Sequence, residues 1–478
     1  MRDAIDMTRS FPLTTFEEFL YWQDRPAYPC SCFIRLQFFG RLMRPALESA
    51  LQTTLERHVL LRSRIEQRGR RLNWVPDEEP QPRITWSTGP TGGPMPTATH
   101  LDLTKEIGLR LAIVESPDET TSALTLQFHH ACCDGAGIFN FINDLLISYA
   151  LETGESSDRV RLPDLEPQRL AQRGGYGLSA TGFIKIFRKQ LIGLQGAWQF
   201  LRRAPTPLLP HEVHSHNAPP PEQYPAIVSH RFDADETQAM RDVAKRQQAT
   251  LNDLLARDIF LAMADLRRES LVPDSASSAS GSENEWLRMM VPMNLRSKDD
   301  RLLPAANVVS SVFLDRRGKQ CDRPQKLLQS IHDEMQLIRD NQLGLTFIFG
   351  LKISKLLPGG LRKAARKNKC TTTCIFTNLG KPLLRCRLPK QDQRLVAGNV
   401  VLDDMKLLAP ICPYNCVTFA ANHYADRLSI TLHYDPRAIS AAVAQMLLDK
   451  FVQHCKNSAS GGAPIPVLNG TAVANVPR

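Results

Sequence analysis

No stretch of this chain is apolar for long enough to form a spanning helix, and the opening MRDAIDMTRSF has no hydrophobic segment of the secretory kind. An integral helical membrane protein is therefore not expected, and the cytoplasm is the expected location. The cysteines are also poor in pattern. There are eleven, an odd number, with Cys132 and Cys133 adjacent and three residues between Cys370 and Cys374 and between Cys412 and Cys416. No pair of CxxC knuckles results, so reduced, mostly buried thiols are expected and a metal site is not. Internal repeats are absent. No nucleic-acid motif or regular alternation of basic and aromatic residues accompanies the positive charge, so nucleic acid is not an expected partner.

What is present suits a globular enzyme. The 478 residues exceed what one core usually serves and fit two lobes, and 42% hydrophobic with 23% charged residues is ordinary for a soluble fold. A formal charge of +10 with pI near 9.1 asks for an anionic partner. Coenzyme A phosphates, an acidic carrier protein and an anionic membrane surface all fit.

Periodicity places the elements. Phe33 to Phe39 reads as a strand, and Leu47, Leu51, Leu55 and His58 recur at helical spacing after Pro45. Two strand-like runs fill 109–128, and a helix is expected over 138–151. Residues 152–225 are rich in proline, arginine and polar residues and read as a connection between lobes. Within them FIKIFRKQLIGLQGAWQFLRR (183–203) is basic and amphipathic: first a surface helix, second a peripheral membrane contact. Two helices are expected over 233–267, a loose loop at 274–285, strands at 287–292, 374–379, 416–422 and 428–434, and helices at 323–339 and 438–451. The expected boundaries are a first lobe at 1–170, a crossover at 171–225, a second lobe at 226–455 and a loose tail at 456–478. Strands mixed with helices in both halves argue for an α/β pair of sandwich lobes.

The segment with the most chemistry is His129-His130-Ala131-Cys132-Cys133-Asp134-Gly135, which follows the strand-like Leu124 to Phe128. It reads HHxxxDG, and the composition of this chain gives those four letters by chance in roughly one chain in a thousand. A histidine at a strand end has the right unperturbed pKa for a general base, and an Asp-Gly turn supplies a carboxylate to fix the backbone or neutralise a cation.

On this motif the chain resembles the HHxxxDG acyltransferase superfamily, similar in fold to chloramphenicol acetyltransferase and including condensation domains, wax ester synthases and alcohol acetyltransferases. Further segments resemble the family's patterns in the same order: Arg57-His58-Val59-Leu60-Leu61-Arg62, Thr250-Leu251-Asn252-Asp253, Val291-Pro292-Met293-Asn294-Leu295-Arg296, Thr377-Asn378-Leu379-Gly380 and His433-Tyr434-Asp435. The DFGWG motif of the plant branch is missing. The resemblance implies two chloramphenicol acetyltransferase-like α/β lobes with an active-site tunnel between them. It makes His130 the general base, with Asp134 and His129 beside it as further members of the catalytic motif. Asp134 is expected in an ion pair with Arg296 that positions His130, and His129 orients the turn. Gly135 would allow close approach of the backbone to substrate. Asn252, Thr377 and Asn378 are candidates for touching substrate or the thioester oxyanion, beside plainer roles in capping a helix and ending a strand. His58 and Arg62 are expected to be structural, and Asp435 to cap the closing helix.

The implied reaction moves an acyl group from coenzyme A or an acyl carrier protein to a small hydrophobic alcohol or amine. The acyl-CoA or phosphopantetheine thioester is a co-substrate, with no tightly bound cofactor. With no adenylation, carrier or thioesterase segment recognised, a free-standing enzyme is expected. A condensation enzyme forming an amide and a non-catalytic binding relative stand as the alternatives.

Overall fold

Apolar strands with both faces covered belong in the middle of a sheet, and Ser31–Phe39 (SCFIRLQFF) is such a strand. In the computed structural model it pairs antiparallel with Thr121–His129 on one side, with Ser31 opposite His129, and with Val400–Leu408 on the other. The residues described are 10–154, 160–177, 180–270, 284–367 and 369–460, and for 180–188 the backbone alone is described. The segment predicted to be loose at 274–285 lies almost wholly outside them.

Two large mixed sheets organise the molecule. One has seven strands, in the order Lys390–Gln391, Arg394–Ala397, Val400–Leu408, Ser31–Phe39, Thr121–His129, Leu109–Glu115 and Arg83–Thr88. The other has six: Val309–Arg317, Trp286–Asn294, Cys374–Asn378, Val417–Tyr424, Arg427–Tyr434 and Ala226–Phe232. The helices Arg44–Arg57 and Gly135–Glu152 pack together beside the first sheet, and Leu251–Ser270 and Ala441–Ala459 pack together on the second. Each sheet has its own apolar core, the first built around residues such as Ile34, Leu126 and Phe141, the second around Phe260, Phe419 and Phe451. The fold is thus α/β with two sandwich lobes.

The division expected at residue 226 does not follow the sheets. Val400–Leu408 comes from the second half of the chain yet completes the first sheet, pairing Leu407 with Ile34 and Leu408 with Phe33. Val400, Leu402, Met405 and Leu407 bury their side chains in the core of that sheet, so the apolar surface this strand must cover lies on the other lobe. Two further expectations shift. The closing helix runs to Ala459, so the loose tail does not begin at 456, and its N-cap is Ser440, which accepts from Val443 N–H. Asp435 instead accepts the Arg437 N–H at 3.0 Å and pairs with the Arg437 guanidinium at 2.8 Å.

Candidate active site

The signature turn starts where the strand Thr121–His129 ends. Pairing continues one residue further, because His130 N–H donates to Cys30 C=O at 2.8 Å, and the chain then turns with Cys132 N–H on His129 C=O at 3.0 Å. Asp134 closes the turn by capping the next helix: Oδ1 accepts Gly137 N–H at 2.8 Å. Its other oxygen, Oδ2, accepts from Arg296 at 2.7 Å and from Val308 N–H at 2.8 Å. Arg296 spans onward to Ala306 C=O at 2.8 Å. The ion pair between Asp134 and Arg296 therefore joins the two lobes directly behind the turn, largely out of solvent.

The connecting loop Leu303 to Val308, between two strands of the second sheet, is buried and wraps the turn. Asn307 Nδ2 donates to both His130 C=O and Ala131 C=O at 2.7 Å each. His58 holds the loop from the first lobe. Its Nδ1 accepts Ala305 N–H at 2.9 Å, so the proton sits on Nε2, which donates to Asp144 at 3.2 Å. His58 is fully buried and structural, as the sequence implied, and burial pushes its pKa down.

His130 itself lines the cavity between the lobes. Its Nδ1 lies 3.2 Å from Cys133 C=O. A carbonyl can only accept, so Nδ1 carries the proton and the lone pair is left on Nε2. Burial lowers the pKa of His130, the chief opposition coming from the Cys133 carbonyl, so the imidazole is neutral around neutral pH. The second histidine does something else. His129 Nδ1 accepts Ala131 N–H at 3.1 Å, and its Nε2 faces Asp24 at 3.5 Å. Asp24 is also held by His100 at 2.6 Å and accepts Cys30 N–H at 2.8 Å. Burial alone would raise the Asp24 carboxyl, but the two imidazoles hold it well below the usual carboxylate range. His129 thus anchors the turn from behind, and it does not line the cavity.

Thr377 and Asn378, at the end of Cys374–Asn378, line the same cavity from the second sheet. Gly380 N–H donates to Asn378 Oδ1 at 2.9 Å, which leaves the amide NH2 as the group free to donate elsewhere. Asn252 is not among the lining residues. Its segment is a reciprocal helix cap: Thr250 Oγ1 accepts Asp253 N–H at 3.1 Å, and Asp253 Oδ2 accepts Thr250 N–H at 2.9 Å. The substrate-facing role expected of Asn252 is withdrawn on that geometry.

Gly135 lines the cavity beside His130 and is also close to the facing lobe. A Cβ there would meet Leu379 Cδ2 at 2.6 Å, so its bareness makes room for a side chain of the facing lobe. Gly137 is the tighter position, since a Cβ would meet Ala306 N and O at 2.8 Å, both backbone atoms. Gly137→Ala is expected to destabilise by about 1–3 kcal/mol through overpacking, and Gly135→Ala by less because a leucine tip can turn aside. Urea unfolding of both variants measures the order.

The cavity is about 1990 Å³, large beside ordinary ligand sites, and is walled by Phe16, Phe19, Phe128, Phe139 and Phe347 among others. Cys132 and Cys133 are fully buried, and burial pushes both thiols far above their ordinary range, so neither offers a thiolate. Among the described residues no cluster of His, Cys, Asp or Glu has the arrangement of a metal site. The anchors Asp24, His100 and Asn307 are absent from the sequence motif. For Asn307 the one available signal is a polar side chain inside the apolar run Ala305-Ala306-Asn307-Val308-Val309.

No protein-family model and no curated protein matches the sequence. Solved structures do match its fold. The first condensation domain of the calcium-dependent antibiotic synthetase, in complex with a substrate analogue, superposes with a TM-score of 0.69 at 14% identity, over 96% of this chain and 100% of that one. A variant of the starter condensation domain of rhizomide synthetase, in complex with C8-CoA, gives a TM-score of 0.63 at 14% identity over 95% and 96%. Polyketide synthase associated protein 5 from Mycobacterium tuberculosis gives 0.60 at 16% identity over 95% and 100%. This chain therefore has the fold of the condensation domains along nearly its whole length.

Proposed function

We propose that this condensation-fold protein is an acyltransferase that moves an acyl group from a thioester, on coenzyme A or a carrier protein, to the hydroxyl of a hydrophobic acceptor. The observation that carries the reading is the tautomer of His130: with Nδ1 committed to Cys133 C=O, Nε2 is left as a base on the wall of a large apolar cavity. In the reaction, Nε2 takes the hydroxyl proton as the acceptor oxygen attacks the thioester carbon. The carbon–sulfur bond then breaks, and the imidazolium returns the proton to the departing sulfur. The thioester is already activated, so no enzyme-bound acyl intermediate is required, in keeping with the suppressed thiols of Cys132 and Cys133. Asp134, Arg296, Asn307 and His129 hold the turn and act as positioning residues. Thr377 and the Asn378 amide are the donors available to the developing oxyanion.

The starter condensation domain with bound C8-CoA supports a coenzyme A thioester as donor, and the aromatic walls support a hydrophobic acceptor. An amine acceptor, giving an amide, is the second reading; it rests on the likeness to condensation domains of peptide synthetases and uses the same base.

The test is thiol release from acyl-CoAs of graded length and from an acyl carrier protein, each with aliphatic alcohols and amines. Release that requires an alcohol supports the reading. Release only with amines moves the assignment to amide formation, and no release with any donor leaves a binding protein. Because the active form is neutral His130 and burial lowers its pKa, kcat/KM is expected to hold as pH drops past the ordinary histidine value near 6.5 and to fall only below it. An acid limb centred above that value would contradict the assigned base.

A further inference from the structure

The positive charge of this chain is not spread over its surface. Residues 180–204 and 343–369 together contain twelve Lys and Arg and no Asp or Glu, against 59 and 49 in the whole chain. The formal +10 therefore resides entirely in these two segments, and the rest of the chain is slightly acidic. They are neighbours in space. The helix Ala180–Arg202 lies against Gly344–Leu356, with Thr346 Oγ1 donating to Gln190 Oε1 at 2.8 Å, Gln190 donating to Gln342 C=O at 3.3 Å and Lys189 to Asp340 C=O at 2.9 Å.

Among the described residues the same two segments hold most of the large apolar side chains left in solvent. Leu191, Leu194, Trp198 and Leu201 recur at alternating steps of three and four along one face of the long helix and are 55%, 61%, 56% and 69% exposed. The sequence extends that spacing back to Ile184 and Phe187. On the neighbouring segment Ile353, Leu356 and Leu357 are also exposed, Leu356 at 86%. Both segments reach the cavity: Gly193, Gly196 and Leu201 line it from one, and Gly350, Ser354 and Leu357 from the other.

We propose that this face docks on an anionic lipid bilayer, with the apolar stripe in the acyl boundary and the flanking cations against the headgroups, so that this rim of the cavity faces the membrane. An acidic protein would satisfy the cations but leave the leucines and Trp198 uncovered, whereas a second copy of the chain would bring cations against cations. A charged bilayer satisfies both chemistries at once. Among the described residues no helix is long and apolar enough to cross a membrane, so the contact is peripheral. On the acyltransfer reading above, it would deliver a hydrophobic acceptor from the lipid phase; the docking itself does not depend on that reading.

The experiment is sedimentation of the full-length protein with vesicles of phosphatidylcholine alone or mixed with phosphatidylserine, at low and high salt and without any acyl donor. Binding to the anionic vesicles, weakened by salt, is expected. The exposed pair Leu194→Glu/Leu356→Glu should reduce the partition about tenfold or more, with an unchanged thermal unfolding curve and unchanged thiol release in detergent-free solution. Wild-type protein that stays in the supernatant with anionic vesicles overturns the proposal, as does an unaltered partition of the double variant. A dimer seen in lipid-free sedimentation velocity and lost in that variant assigns the face to self-association instead. Retention by an acidic carrier protein but not by vesicles assigns it to a protein partner. Because no substrate is present in the vesicle assay, failure of docking and failure of acyl transfer are read separately.

Discussion

Exchange of His130 for alanine is expected to lower acceptor-dependent thiol release by about 10²–10⁴-fold, the usual contribution of a positioned general base. Stability should barely follow. The side chain makes one hydrogen bond of 3.2 Å, to Cys133 C=O, and its loss costs about 1 kcal/mol. His129→Ala provides the contrast. That ring is buried and accepts Ala131 N–H, so its removal leaves a buried N–H without its acceptor, takes one of two imidazoles from Asp24 and acts on folding first. Activity and urea unfolding, measured on both variants, separate the base from its anchor. If His130→Ala retained more than about a tenth of the wild-type rate, proton transfer by this side chain would not be the source of catalysis.

Removal of the Asp134 carboxylate is expected to have the largest effect on stability of any single change at the site. One side chain accepts three hydrogen bonds there, from Gly137 N–H, Val308 N–H and Arg296, and both oxygens are used. Asp134→Ala leaves the Arg296 guanidinium facing Ala306 C=O with no counter-charge and uncaps the helix Gly135–Glu152. Breaking a buried pair of this kind costs about 3–5 kcal/mol. Asp134→Asn should lose less, because an amide oxygen still caps Gly137. Adding Arg296→Met to Asp134→Ala should recover part of the loss by removing the stranded cation, a coupling that a double-mutant cycle in urea measures directly. A loss below about 1 kcal/mol in Asp134→Ala would mean that the lobes are held at this point by something other than the pair.

The two effects diverge because the turn divides its labour. The strand end and the loop 303–308 fix where His130 stands, through backbone carbonyls that Asn307 clamps from the other lobe. The chemistry then needs only one free nitrogen. Asn307, Asp24 and His100 all serve this placement, yet none was legible in the sequence, because each is isolated in the chain and gains its meaning from a partner between 76 and 177 residues away. Local motifs were better read. The pairing of Asp134 with Arg296 was expected from resemblance, and the structure places the two 2.7 Å apart. Thr250-Leu251-Asn252-Asp253 was legible as a helix start on capping chemistry alone, and the structure gives it that role while removing Asn252 from the site.

By itself the amino-acid sequence determined the local elements and the chemical candidate. Short apolar runs marked the strand within Ser31–Phe39 and the paired strands before His130, and a spacing of three to four residues marked the helix Arg44–Arg57, since a strand covered on both faces is apolar throughout and a helix covered on one face repeats with its turn. The tertiary structure alone decided three other things. It sent Val400–Leu408 across to complete the first sheet, fixed the proton of His130 on Nδ1, and set two basic helices side by side at the cavity rim. Each depends on contacts between residues far apart in the chain, and no local pattern encodes which distant surface a strand, a ring nitrogen or a helix face will meet.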